Sequence, residues 1–473
     1  MKFSLPPALV KRYLQSHSWI GLAMAAVLYL VCISGTVTVF ARYLDRWEQP
    51  DVQEFTQIDT AILNNVYRDL VEQTPDLAGD VLVMLPREGI PRASLVSSQG
   101  AWLLNQDGSR GKVLASPWTN MLISLHDHLH LPATWGMIVV SITGVLMTAL
   151  IVSGFLSHPG IFRDAFHFRQ GVSPRLQQTD LHNRLSVWAA PFHLIIAVSG
   201  AYFGVAVLMN AIIASAFFGG DDEARLAEVF GGPPTLEQEV VPVNISRALA
   251  TLEEIVPEAD PFYVTIEDAN SPSQYMLIGA HHTDRLIYAE QYRFDQNGDY
   301  IDNVGYTDGP VGRQAIFSVF RVHFGHFGGL PVMLLYGFLG IALCVVCVSG
   351  VNIWLNKRKH KDVINDIWPG FVWGVPVAIL GSALISLLSG LSAVSAFWLL
   401  LALSTLFGLV IKTATITRRW LITASALLAG VLAAAHALVY GGDAFHGVAL
   451  LINISLLVTG CLVIALMYLR KQR

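Results

Sequence analysis

HSWIGLAMAAVLYLVCISG (residues 17–35) and HNRLSVWAAPFHLIIAVSG (residues 182–200) each open on a histidine, run through an apolar stretch and close on Ser-Gly. Setting Ser34-Gly35 on Ser199-Gly200 places His17 on His182. A second pair repeats in the same way: Ser153-Gly154 set on Ser349-Gly350 puts Gly144 on Gly340 and His130 on His326. The spacing predicts a duplicated unit of span, long polar segment and span. Parallel repeats of this kind are related by a pseudo-two-fold axis along the membrane normal, so equivalent side chains face one another across it.

The 473 residues are 53% hydrophobic and 14% charged, outside the range of an ordinary soluble domain. Runs long enough to cross about 30 Å of hydrocarbon occur at 18–41, 133–157, 186–217, 331–355, 371–390, 394–411, 420–440 and 446–468. The first is too long for a signal-peptide core and lacks a small-residue cleavage site before Arg42, so it reads as a retained anchor. Basic residues cluster at one end of every span: Lys2, Lys11 and Arg12; Arg163, Arg169 and Arg175; Lys357, Arg358, Lys359 and Lys361; Lys412, Arg418 and Arg419; Arg470, Lys471 and Arg473. The positive-inside rule then puts both termini in the cytoplasm and the two long segments on the outer face. Acidic residues gather in those outer segments, and the net charge of −5 gives no support for nucleic-acid binding.

The domains expected are a tail and first span (1–44), a first outer domain (45–128), a second span (129–158), an inner loop (159–184), a third span (185–217), a second outer domain (218–325), a fourth span (326–356), an inner loop (357–370) and four further spans (371–473) without the repeat. Each outer domain shows a helical pattern, at 58–72 and 243–255, followed by strands such as 93–97, 262–266 and 275–278. Asp107-Gly108 and Asn297-Gly298 read as hairpin turns. The fold class expected is an all-α polytopic membrane protein carrying two small outer α+β domains.

All four cysteines, Cys32, Cys344, Cys347 and Cys461, fall in spans, so no disulfide is expected in the outer domains. Cys344-x-x-Cys347 reads as small packing residues. Histidine is different. An imidazole at membrane depth is costly without a partner, and a cluster on facing helices points to a metal or haem iron. His17, His158 and His182 form an inner group, with His193 nearer the midplane, about 16 Å from His182 on a straight helix. His126, His130, His323 and His326 form an outer group, with His128 on another helical face; His281 and His282 read as surface residues. Two tiers imply two cofactors. The outer pairing favoured is His130 with His323, for which His126 or His326 could substitute. The inner pairing favoured is His17 with His182, with His158 and His193 as alternatives. Zinc fits poorly, because the spans lack Asp, Glu or Cys at ligand spacing. No C-x-x-C-H occurs, so covalent haem attachment is not expected.

Several of these residues stand in a recurring order: Trp19-Ile20-Gly21 after His17; Leu125-His126 and Leu129-His130 before Pro132; His158-Pro159-Gly160-Ile161-Phe162-Arg163-Asp164 with Phe168-Arg169; Leu181-His182-Asn183 with Pro191-Phe192-His193-Leu194; and Val322-His323-Phe324-Gly325 with Phe327-Gly328-Gly329. Over residues 10–358 this pattern resembles the PepSY-associated transmembrane family. The resemblance implies a bacterial inner-membrane protein with two periplasmic PepSY-type domains and a four-helix core holding two b-type haems. It further implies a reductase of periplasmic ferric substrates, ferric siderophores among them, that releases Fe(II). No glycine-rich dinucleotide or flavin fingerprint occurs in 357–473, so the electron donor is a separate cytoplasmic protein or quinol. Arg163, Arg169 and Arg175 read as topology signals before haem propionate partners. A homodimer is compatible with this reading. Two others stand beside it: a PepSY-domain binding or sensing protein, and a transporter using the last four spans.

Overall fold

A computed structural model describes residues 5–166 and 173–472. Lys2, Phe168, Arg169 and Arg473 lie outside the described residues. In chain order the elements are α1 (Pro7–Thr38), α2 (Ala41–Glu48), α3 (Thr60–Gln73), β1 (Val81–Met84), β2 (Ala93–Ser97), β3 (Gly100–Leu104), β4 (Arg110–Val113), α4 (Pro117–His128), α5 (Ala133–Ser157), α6 (Ile161–Asp164), α7 (Pro174–Trp188), α8 (Ala190–Phe217), α9 (Asp222–Phe230), α10 (Ile245–Ile255), β5 (Ala259–Glu267), β6 (Tyr275–His282), β7 (Glu290–Phe294), β8 (Tyr300–Asn303), α11 (Val311–Phe324), α12 (Gly329–Lys357), α13 (Val363–Ser389), α14 (Ala393–Ile411), α15 (Ala414–Tyr440) and α16 (Gly447–Gln472). They divide into a helical unit of residues 1–51, 116–207 and 330–473 and a sheet unit of residues 52–115 and 208–329.

Among the described residues, eight helices are long and apolar enough to cross a membrane: α1, α5, α8 and α12 to α16. The chain is a multi-pass membrane protein. The repeat is visible in how the first four of these meet. Gly144 of α5 lies so close to α8 that a Cβ there would fall 2.8 Å from the Ala197 carbonyl, and a Cβ at its equivalent Gly340 of α12 would strike the Thr36 side chain of α1. Ser141 donates to the Gly200 carbonyl at 3.1 Å across the α5–α8 contact. Small residues allow this approach where lipid gives no hydrophobic drive to association.

Two departures from the sequence reading bear on function. The third span is broken at Ala189, two residues before Pro191, into α7 and α8, so a straight-helix rise does not apply between His182 and His193. Ahead of α5 and α12 stand two short helices, α4 and α11, each ended by a left-handed residue, Leu129 (φ 54) and Gly325 (φ 68). His126 and His323 therefore ride on separate helices, not on the starts of spans.

The last four spans pack on the first repeat. Pro376 inside α13 has no N–H to give to the Val372 carbonyl. Tyr29 of α1 takes that place, donating its hydroxyl to Val372 at 3.0 Å.

In the sheet unit the two outer segments, expected as two small domains, build one antiparallel sheet of order β4-β3-β2-β1-β5-β6-β7-β8. The halves join where β1 pairs β5, Val81 opposite Ile266 and Met84 opposite Tyr263. Alternate residues Val81, Val83, Val264 and Ile266 are fully buried beneath Leu63, Tyr67 and Leu70 of α3 and Ala248 and Leu252 of α10. The hairpin glycines sit where expected, Gly108 at φ 82 and Gly298 at φ 88, and a Cβ at Gly108 would strike Ile62 of α3.

Glu267 closes β5 half-buried, with its carboxyl pushed up to about 7 by burial and then by the Asp80 carboxylate. Its folded value lies above the unfolded one, so the charged form is penalised in the fold. That penalty is absent below about pH 4.5, grows through the interval and is complete above about pH 7. Glu267→Gln should raise the melting temperature at pH 8 and leave it unchanged at pH 4, as read by thermal denaturation.

Candidate cofactor site

His17 of α1 and His182 of α7 are brought together edge-on, with ring centroids 6.3 Å apart and planes at 85°. His17 Nδ1 lies 2.9 Å from the Leu150 carbonyl and 3.3 Å from Ser153 Oγ, both on α5. His182 Nδ1 lies 3.1 Å from the Val346 carbonyl and 3.1 Å from Ser349 Oγ, both on α12. These partners are the ones the Ser-Gly register makes equivalent. The glycines complete the match: a Cβ at Gly154 would press on the His17 ring at 3.2 Å, and one at Gly350 on the His182 ring at 3.4 Å.

This arrangement fits a metal held by two imidazoles. A carbonyl on each Nδ1 fixes the tautomer that leaves Nε2 with its lone pair free, and neither Nε2 makes a hydrogen bond among the described residues. Among the described residues no group of three or more His, Cys, Asp or Glu side chains is placed to hold a metal ion. The pair itself supplies two nitrogen donors.

His126 of α4 repeats the motif at the other level of α1. Its Nδ1 lies 2.9 Å from the Val31 carbonyl, and its ring lies against Gly35, the glycine of the opening Ser-Gly pair. His130 does not. Trp398 donates its indole N–H to His130 Nδ1 at 2.8 Å, and His130 Nε2 donates to the Met121 carbonyl at 2.8 Å. Both ring nitrogens of His130 are thus engaged in hydrogen bonds, whereas on His126 a carbonyl meets Nδ1 as it does on His17 and His182.

The remaining candidates separate. His158 caps α5 with Nε2 3.6 Å from the Asp164 carboxylate, which ties it to the local turn. His193 is 3% exposed, bonded to the Leu339 carbonyl, with Nε2 unpartnered. His128 closes α4, and Gly136 of α5 packs on its backbone. His323 and His326 stand at the end of α11 in the sheet unit, edge-on and tilted against Phe324. His281 and His282 are not surface residues: His281 stacks on Phe262 at 4.1 Å, and His282 is buried with Nε2 2.9 Å from the Tyr292 hydroxyl. The supporting Ser153 and Ser349 hydroxyls were not singled out from sequence, although the Ser-Gly pairs that set the register contain them.

A multi-pass membrane protein with a duplicated core and a facing histidine pair is the class these features define. The chain belongs to the family described as the PepSY-associated TM region, which matches residues 14–357. It is also similar to an uncharacterized protein of Pseudomonas aeruginosa, 23% identical over 279 residues, covering 55% of this chain and 71% of the relative. Helices α13 to α16 lie beyond the family match.

Gly154→Val should displace the His17 ring and lower the melting temperature, whereas Gly430→Val, placed where a Cβ meets nothing within 4 Å, should leave it nearly unchanged, as read by thermal denaturation of the purified variants.

Proposed function

We propose that this protein is a di-haem oxidoreductase of the bacterial inner membrane that carries electrons outward to reduce periplasmic ferric iron, as in a ferric siderophore, and release Fe(II). The observation that carries this reading is the His17–His182 pair, with Nδ1 of each ring on a helix carbonyl and Nε2 of each free. Haem b between two imidazoles supplies one-electron transfer and is closed to direct substrate binding.

The residues divide the work. His17 and His182 would hold the inner iron, and the Leu150 and Val346 carbonyls would raise the basicity of their rings. His126 is the ligand that α4 offers to an outer iron. Between these levels α1, α5, α8 and α12 carry no Asp, Glu, Lys or Arg in their central turns, which keeps the path in a low-dielectric medium. The basic flanks support cytoplasmic termini and a periplasmic sheet unit. The substrate step follows from ligand hardness: siderophore oxygens hold Fe(III) more strongly than Fe(II), so one electron loosens the complex. The donor is a cytoplasmic reductant or membrane quinol.

Membrane vesicles test the proposal. Inside-out vesicles given a cytoplasmic donor should reduce a ferric complex trapped in their lumen, and His126→Ala should lose one haem and at least tenfold of that rate while the inner haem stays reducible. Reduction that needs donor and acceptor on the same face contradicts the outward path.

A further inference from the structure

Helices α13 to α16 grip α4 at both ends. At its start, the Glu48 carboxylate of α2 accepts from the Trp118 and Thr119 backbone N–H groups at 2.9 and 2.8 Å. Helix α2 is in turn fixed by α15 and α16. His436 Nε2 donates to the Trp47 carbonyl at 2.8 Å, Trp47 donates its indole N–H to Asn453 at 3.0 Å, and Tyr440 donates to the Glu48 carbonyl at 2.6 Å. Also at its start, the Trp118 indole donates to the Ile379 carbonyl of α13 at 3.0 Å. At its end, Trp398 of α14 donates to His130, which donates back to the Met121 carbonyl.

The end of α4 needs this support. Leu129 and His130 are consecutive left-handed residues, at φ 54 and 58, and the N–H of each is directed at the Ser124 carbonyl. The equivalent corner of the second repeat uses Gly325, which adopts that conformation freely. Side-chain residues held in this region persist where the surroundings over-determine them. Here the bonds through His130 do so, one turn from His126.

We infer that the four C-terminal helices are a brace for α4, and that Trp398 and His130 are positioning residues for the outer iron ligand His126. The brace itself is a matter of packing; its meaning for iron rests on the reading of His126 as a ligand.

Trp398→Phe keeps the ring and removes the N–H. In full-length protein, hydrogen–deuterium exchange over residues 117–131 should quicken roughly tenfold, the loss of about one net hydrogen bond. The outer haem should shift in potential and electron paramagnetic resonance while the inner haem keeps both. Adding Leu129→Gly should restore the exchange rate and the outer-haem signals, because glycine removes the strain that the brace holds. Exchange and spectra of Trp398→Phe identical to wild type overturn the inference. If wild-type protein binds no haem, the functional proposal fails by that result, and the exchange rates alone decide the brace: quickened and rescued, it stands; unchanged, it falls.

Discussion

A histidine ring inside a bilayer must give its N–H to something, and in this protein it gives it to a carbonyl of a neighbouring helix. His17 on Leu150, His182 on Val346 and His126 on Val31 follow one rule. Each bond fixes the tautomer, aims the ring and links two helices. Each ring also lies against a glycine, at positions 154, 350 and 35, because a side chain there would occupy the space of the imidazole. The close helix contacts at Gly144 and Gly340 then set the helix positions on which those bonds depend.

The two repeats share this rule and differ in how they end. In the first, α4 turns into α5 through Leu129 and His130, a left-handed pair costing on the order of 1–2 kcal/mol per residue. In the second, Gly325 makes the turn without that cost. The C-terminal helices pack on the side that carries the strain, and their carbonyls, indoles and His436 satisfy groups on α1, α2 and α4. Pro376 shows the fit in reverse: it frees a carbonyl of α13, and Tyr29 of α1 occupies it.

Much of this was legible in the sequence, and the limits have physical causes. The Ser-Gly register located the inner histidines, their equivalence and the glycines against which they rest, since a duplicated sequence carries its symmetry openly. Helices α3 and α10 and the two hairpin turns were legible from periodicity and from Gly108 and Gly298. The corner at Leu129-His130 was not, because neither residue signals positive φ. The bond from Trp398 to His130 was not legible either, because the two are 268 residues apart in sequence. The union of the outer segments depends on β1 meeting β5, a pairing between residues 81–84 and 263–266 to which no local pattern points.

The proposal turns on His17 and His182 together being able to hold one haem iron. Electron paramagnetic resonance of the oxidised protein tests it most directly, since the signal of ferric haem reports both axial ligands and the angle between their planes. With rings at 85°, the account predicts a highly anisotropic low-spin ferric signal with a large maximum g value, lost together in His17→Ala and His182→Ala. A high-spin signal in the wild type, or a low-spin signal that survives either substitution unchanged, would contradict it.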